Sequence, residues 1–196
     1  PALSGSKIRR FFHKLPVTGY LMDFVAGLQL KKAFGRKIRF FGIGGARLNP
    51  EVEFFLKRAH FPYAIGYGLT ETSPLLAGSG PKNTMLGTVG PVLEGVELRI
   101  LHPSKQTGIG EVIVRGPNVM KGYYRDFQLT DKAFTTERDS CGPGWFKTGD
   151  LGLLENRHGR PWLSLKGRSK NMILSSSGEN IYPEDIEFVL NQHPMV

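Results

Sequence analysis

Twice in close succession an apolar run ends in a glycine cluster. Lys37-Ile38-Arg39-Phe40-Phe41 alternates, turns apolar and meets Gly42-Ile43-Gly44-Gly45-Ala46. Phe61-Pro62-Tyr63-Ala64-Ile65 meets Gly66-Tyr67-Gly68-Leu69-Thr70-Glu71-Thr72. Between them Asn49-Pro50-Glu51 opens a helix, with Asn as cap, Pro at the first helical position and an acid near the positive end of the dipole. Phe54, Phe55 and Leu56 are expected to pack that helix. Strand, glycine turn, helix, strand, glycine turn is the order of an α/β layer. A ligand of such a layer is expected at the carboxyl ends of its parallel strands. Gly66 and Gly68 free the second turn to bend sharply and to admit a ligand closely. Tyr67 adds a flat ring, Thr70 a hydroxyl and Glu71 a carboxylate. That set suits a purine, a phosphate and a magnesium ion. It equally suits a strand that ends in a turn, with Thr70 capping a short helix.

Two helices are expected before this layer. Residues 6–14 place Ile8, Phe11 and Phe12 on one side. Residues 18–34 place Leu21, Phe24, Val25 and Leu28 at helical spacing, with Gly35 as the stop. After residue 79 the texture changes to short strands and frequent glycine turns. Strands are expected at 96–100, 110–116, 145–147, 151–154 and 162–165, with a helical turn at 130–134. Asn156-Arg157-His158-Gly159 reads as a hairpin turn. A further core is expected to open with Asn171-Met172-Ile173-Leu174 and a helix from Pro183. The expected fold is therefore α/β: a parallel-sheet portion over 1–78 and a β-rich, distorted-barrel subdomain over 79–167. The start of a small α+β domain follows over 168–196.

Composition narrows the classes. The single cysteine, Cys141, rules out an internal disulfide, which fits a reducing, cytoplasmic setting. No run approaches the ~20 apolar residues of a membrane-spanning helix. The absence of a starting Met and of a signal-like segment reads as a piece of a longer chain. Net charge is +9 and is concentrated at the start: residues 1–40 carry nine basic side chains against one acid, Asp23. This segment reads either as solvated helix faces or as a patch for anionic phosphates or an anionic membrane surface. No nucleic-acid module accompanies it, so a nucleic-acid role is not expected.

Four stretches stand in series: Gly44-Gly45-Ala46; Tyr67-Gly68-Leu69-Thr70-Glu71; Thr148-Gly149-Asp150; and Gly167-Arg168-Ser169-Lys170 with Gly178-Glu179-Asn180-Ile181-Tyr182-Pro183-Glu184-Asp185. Each alone is a common turn. In this order and at these separations they resemble the AMP-forming adenylating enzymes: acyl-CoA synthetases, luciferases and peptide-synthetase adenylation domains. The resemblance runs from about residue 37 to 190. Overall the likeness is greatest to long-chain fatty acyl-CoA synthetases.

The resemblance implies a role for each stretch. Family members join a carboxylate to ATP, release pyrophosphate and pass the acyl group from acyl-AMP to a thiol. Gly44, Gly45 and Ala46 match the backbone along the adenine, and Tyr67 the ring stacked on it. Gly68 belongs to the same nucleotide-binding turn. Thr70 matches the hydroxyl on the α-phosphate and Glu71 the magnesium ligand. These two are the implied catalytic pair. Asp150 matches the carboxylate that accepts both ribose hydroxyls, a task suited to an ionised Asp, which has two oxygens and no donors. Arg168 matches a nucleotide contact near the hinge and Lys170 the hinge itself. Gly178, Glu179 and Asn180 match the loop that reaches the thiol tunnel. Two departures touch the hinge and that loop: Ser177 stands where a second glycine is common, and Asn171 where an Asp is frequent.

The implied partners are ATP, Mg2+, CoA and a fatty acid, with or without peripheral membrane contact through residues 1–40. A carrier-protein thiol, another carboxylic acid, or a purely membrane-binding module remain alternatives. The family's phosphate loop is expected before residue 1 and its C-terminal catalytic lysine after residue 196. The 196-residue chain alone is therefore expected not to form acyl-AMP.

Overall fold

The fold is described by a computed structural model over residues 16–45, 48–174, 180, 181 and 183–190. The helix expected at 6–14, Ala46, Gly178 and Glu179 lie outside the described residues.

Helix α1 spans Pro16–Ala33 and stops at Gly35 and Arg36, both in the left-handed region (φ 84° and 62°). Its inward face is not the apolar row the spacing predicts. Leu21, Phe24, Val25 and Leu28 are all exposed, whereas Asp23 and Gly27 are buried. The reason is the partner helix α2, Pro50–Arg58. Arg58 Nε lies 2.6 Å from Asp23 Oδ2. A Cβ on residue 27 would sit 2.0 Å from the Ala59 carbonyl oxygen, so only glycine permits this approach.

Helix α2 starts as its sequence dictates. The Asn49 side chain accepts from the Glu51 and Val52 amides, and Pro50 needs no partner for a missing N–H. Its packing differs from expectation: Leu56 is buried, but Phe54 and Phe55 are exposed. Glu53 takes the second inward position. Its carboxylate accepts from the Tyr63 hydroxyl at 3.3 Å and from the Gly87 amide at 3.2 Å, which satisfies a buried acid.

Strand β1 is Phe41–Ile43, later than the alternation at 37–41 suggests. It pairs in parallel with β2, Tyr63–Gly68, from Phe41↔Tyr63 onward. The residue before Tyr63 is Pro62, which accepts from the Phe41 amide but has no N–H to return, so the ladder starts there. Beneath this pair, Leu56, Phe61 and Tyr63 form a core with Leu30, Phe41, Ile43 and Ile65. Strand β3, Leu75–Gly78, joins β2 antiparallel and completes a three-stranded mixed sheet.

The second sheet has five antiparallel strands: β4 (Gly90–Pro91), β5 (Glu97–Leu101), β6 (Gly110–Arg115), β7 (Phe146–Arg157) and β8 (Arg160–Arg168). Their order is β4-β8-β7-β6-β5. The runs expected as separate strands at 145–147 and 151–154 are one long strand, β7. Residues His158 and Gly159 (φ 53° and 74°) turn it tightly into β8. Strand β6 is buried on both faces. Val112 and Val114 meet Tyr67, Leu76, Ala77, Phe146 and Leu163, while Ile113 meets Leu101 and Trp145. The first of these clusters welds the two sheets together. Helix α3, Phe127–Ala133, begins earlier than the turn expected at 130–134 because Asp126 caps it through the Leu129 amide. A 3-10 turn at Ser169–Asn171 leads to a two-stranded antiparallel pair, β9 (Ile173–Leu174) with β10 (Asn180–Ile181), and helix α4, Pro183–Leu190.

Candidate nucleotide site

Gly44 and Gly45 follow the carboxyl end of β1, and Gly66–Gly68 form the last residues of β2 beside it. The parallel register brings these two glycine turns side by side: a Cβ on residue 44 would lie 3.4 Å from the Gly66 carbonyl oxygen. Gly45 needs its glycine for a φ of 81°. Gly68 needs its own for a different reason than ligand approach. A Cβ there would lie 1.7 Å from the Pro74 carbonyl oxygen, so the chain's own backbone fills the space.

Beyond Gly68 the chain makes a 3-10 turn, Thr70–Thr72. Thr70 does not cap it. Thr72 does that work from the other end: its buried hydroxyl accepts from the Leu69 amide and lies within hydrogen-bond reach of the Leu69 and Pro74 carbonyls. Thr70 is left exposed on the outside of the turn, and Glu71 is half-buried.

Asp150 is delivered by a bulge. Strand β7 pairs with β6 at Lys147↔Ile113 and again at Leu151↔Glu111. Thr148, Gly149 and Asp150 thus oppose the single residue Val112. The bulge is fastened internally. The Thr148 hydroxyl donates to the Val112 carbonyl (2.8 Å) and accepts from the Asp150 amide (3.1 Å), and the Gly149 amide donates to Glu111 Oε1 (3.1 Å). Gly149 takes φ 74°, which suits glycine. On the other side Asp150 pairs across strands with Arg168.

These pieces meet. The Tyr67 hydroxyl donates to Asp150 Oδ2 at 2.8 Å, and Arg168 Nε lies 3.4 Å from Asp150 Oδ1. Residues 83 positions apart in sequence are joined by one hydrogen bond between the two sheets. Burial pushes the Asp150 carboxyl above its ordinary range, opposed by the Tyr67 hydrogen bond and the Arg168 charge. Burial, then the Asp150 charge, push the Tyr67 phenol far up, so it stays a donor. Tyr67 is only 7% exposed and packs within the core, leaving little open ring face in this arrangement. Arg168 is mostly exposed, so its ion pair adds little to stability. The Ser169 hydroxyl donates to the Gly149 carbonyl, which ties the following 3-10 turn and the exposed Lys170 to the back of the bulge. Asn180 is described only as backbone in β10, away from this set in the pairing of strands.

One contact at the candidate site is not signalled by the sequence. Tyr123 donates its hydroxyl to Glu71 Oε1 at 3.0 Å. Burial, the Glu71 hydrogen bond and the Glu71 charge all push its phenol above the ordinary range, so it stays protonated and donates. A tyrosine pair after a glycine in a loop is too common a pattern to announce such a role. Among the described residues no group of three or more His, Cys, Asp or Glu gathers to hold a metal.

Residues 10–124 match the model of the AMP-binding enzyme family. The chain belongs to that family. Its likeness to individual AMP-binding enzymes is spread across substrates. It is 37% identical over 168 residues to the long-chain-fatty-acid–CoA ligase FadD15 of Mycobacterium bovis, covering 86% of this chain and 25% of that one. It is 40% identical over 145 residues to the 2-succinylbenzoate–CoA ligase of Bacillus velezensis, covering 71% and 28%. Among solved structures, o-succinylbenzoate CoA synthetase from Bacillus subtilis with its acyl-adenylate intermediate superposes with a TM-score of 0.67 at 34% identity. That match covers 80% of this chain and 31% of the other. The same enzyme has been solved with ATP and magnesium ion, with a TM-score of 0.66. The chain spans about a quarter of the length of FadD15.

Proposed function

We propose that this chain is the adenosine-binding portion of a ligase that activates a fatty acid with ATP and passes the acyl group to CoA. The observation that carries the reading is the contact between Tyr67 and Asp150, which joins the end of β2 to the bulge of β7. Around it stand the glycine turns, Arg168 and the exposed Thr70.

The residues divide the work by their chemistry. The carboxylate of Asp150 has about four acceptor positions. Tyr67 uses one and Arg168 faces another, so acceptor capacity remains for two ribose hydroxyls. Gly44 and Gly45 leave an adenine edge free of side chains. A base would stack on the Tyr67 ring only where the packing that leaves Tyr67 7% exposed gives way. Thr70 offers an exposed hydroxyl to a phosphate oxygen. Glu71 fits an ion that arrives with phosphates: magnesium commonly takes one or two carboxylates and completes its shell with phosphate and water. Bound there, the ion would offset the negative charge of the phosphates. Positive charge at that point is a leading need when a carboxylate attacks a phosphate. Lys170, on the 3-10 turn after β8, would be the hinge, and the 178–180 loop would approach the thiol.

Fatty acid as the substrate rests on the long-chain ligases among the relatives, including long chain acyl-CoA synthetase 1 of Arabidopsis thaliana, 34% identical over 186 residues. An acyl-carrier-protein ligase of the same plant, AEE15, is 35% identical over 156 residues, which keeps the carrier-protein acceptor as the second reading. The test is a panel on the full-length protein: acids of graded length, free CoA against carrier protein, with AMP release and thioester measured. Thioester on CoA with long acids is the expected result. Turnover only of aromatic or dicarboxylic acids, or thioester only on the carrier protein, would overturn the substrate or the acceptor respectively.

The exposed row Leu21, Phe24, Val25 and Leu28, followed by Lys31 and Lys32, suits an anionic membrane surface. It is also what α1 would show where the remainder of a longer protein packs on it. Salt-sensitive cosedimentation of the full-length protein with anionic vesicles would favour the membrane; its absence would favour packing.

A further inference from the structure

We infer that Tyr123 is a positioning residue for Glu71: its phenol fixes one carboxylate oxygen, leaving the other to face the cation carried by the nucleotide. The inference rests on the adenylation reading above and adds a residue to it.

A glutamate on a short 3-10 turn has three side-chain torsions and nothing in its own turn to hold them. The loop after β6 supplies the hold. The Met120 amide donates to the Glu71 carbonyl at 2.8 Å, which fixes the main chain. The Asn118 side-chain amide donates to the Thr72 and Leu75 carbonyls at 2.8 and 3.1 Å, which fixes the turn beyond it. The Tyr123 hydroxyl then takes Glu71 Oε1 at 3.0 Å. Main chain, turn and carboxylate are thus gripped by one short loop from the other sheet.

The main chain that carries the phenol is itself anchored. The Tyr123 amide donates to the Thr130 hydroxyl at 2.9 Å, and that hydroxyl donates to the Asp126 carbonyl at 2.8 Å. Gly122, at φ 153°, brings the chain past Thr130 where a Cβ would lie 2.7 Å from its methyl carbon. The line of bonds therefore runs from the first turn of α3 through Tyr123 to Glu71. A second partner of this kind commonly sets the orientation of a metal-binding carboxylate. A single carboxylate shared with phosphates needs that help more than a full ligand cage does.

The test uses the full-length protein with Tyr123→Phe, a non-hydrolysable ATP analogue and Mn2+ as the probe cation. Electron paramagnetic resonance measures Mn2+ bound in the presence of the analogue, and calorimetry measures metal-free AMP binding. Mn2+ affinity is expected to fall about tenfold, the low end for such partners, with AMP affinity unchanged. In a Glu71→Gln background, Tyr123→Phe is expected to add no further loss. Unaltered Mn2+ affinity in Tyr123→Phe overturns the inference. So does a parallel loss of AMP affinity, which marks a purely structural role. Wild-type protein that binds AMP but takes up no Mn2+ with the analogue removes Glu71 as a ligand and the inference with it. Wild-type protein that binds no adenine nucleotide refutes the adenylation reading itself.

Discussion

Replacing Asp150 separates binding from stability, because its neighbours make different demands on it. Its carboxylate accepts from Tyr67 and faces Arg168, and its side chain is 13% exposed. In Asp150→Asn one oxygen remains to accept from the Tyr67 phenol, while the charge and one acceptor are lost. A hydrogen bond to a charged group is worth about 1.5–3 kcal/mol. Losing one of two ribose bonds should therefore weaken AMP binding roughly 10- to 150-fold. Stability should change little, since the carboxylate's burial cost disappears with its charge and the Arg168 pair is exposed. Asp150→Ala removes both ribose bonds, about 3–6 kcal/mol, and also strands the Tyr67 hydroxyl, which costs about 1–3 kcal/mol of folding stability. Calorimetric titration of AMP into the full-length variants reads the first quantity, and scanning calorimetry the second. Wild-type AMP affinity in Asp150→Asn would show that this carboxylate does not hold the ribose. A large drop in melting temperature for Asn with none for Ala would refute the assignment of the Tyr67 bond.

Asp150 also predicts a pH dependence. Its folded-state pKa lies above the unfolded value through desolvation, so its contribution to stability falls as pH rises from the ordinary carboxylate range through the folded value. Ribose donors favour the ionised form, so AMP affinity should rise with pH over that same window. Proton release on binding should be seen there by calorimetry in two buffers and vanish in Asp150→Asn. Gly68→Ala should cost about 3 kcal/mol or more by overpacking, since its Cβ would overlap the Pro74 carbonyl; an unchanged melting temperature would show that the turn moves freely. Gly44→Ala meets only an ordinary contact and should stay within about 0.5 kcal/mol of wild type, while weakening AMP binding if the adenine lies there.

Local chemistry made much of this protein readable from its sequence. Asn49-Pro50-Glu51 specifies a helix start in any context, and Gly35 and His158-Gly159 specify stops and turns, because these residues settle their own backbone angles. The motif series likewise pointed to an adenylating enzyme without any coordinates. What periodicity misjudged was contact. The apolar row of α1 falls at helical spacing yet is exposed in this chain, while Asp23 and Gly27 face α2 across a salt bridge and a close carbonyl. Phe54 and Phe55 were expected to pack α2 and are exposed in this chain, while the neighbouring Glu53 turns inward to two donors.

The site divides along the same line. Its parts were in the sequence: a glycine turn, a Thr-Gly-Asp stretch, an arginine, a glutamate. Their meeting was not. That Thr148, Gly149 and Asp150 bulge against one residue of β6 depends on strand register, as does the pairing of Asp150 with Arg168. That Tyr123 reaches Glu71 depends on how a loop of one sheet lies against a turn of the other. Sequence determines what each segment does with its own backbone, since those energies are local. Only the packed molecule decides which distant donors and acceptors share a hydrogen bond, since a gap of a few ångströms is enough to lose it.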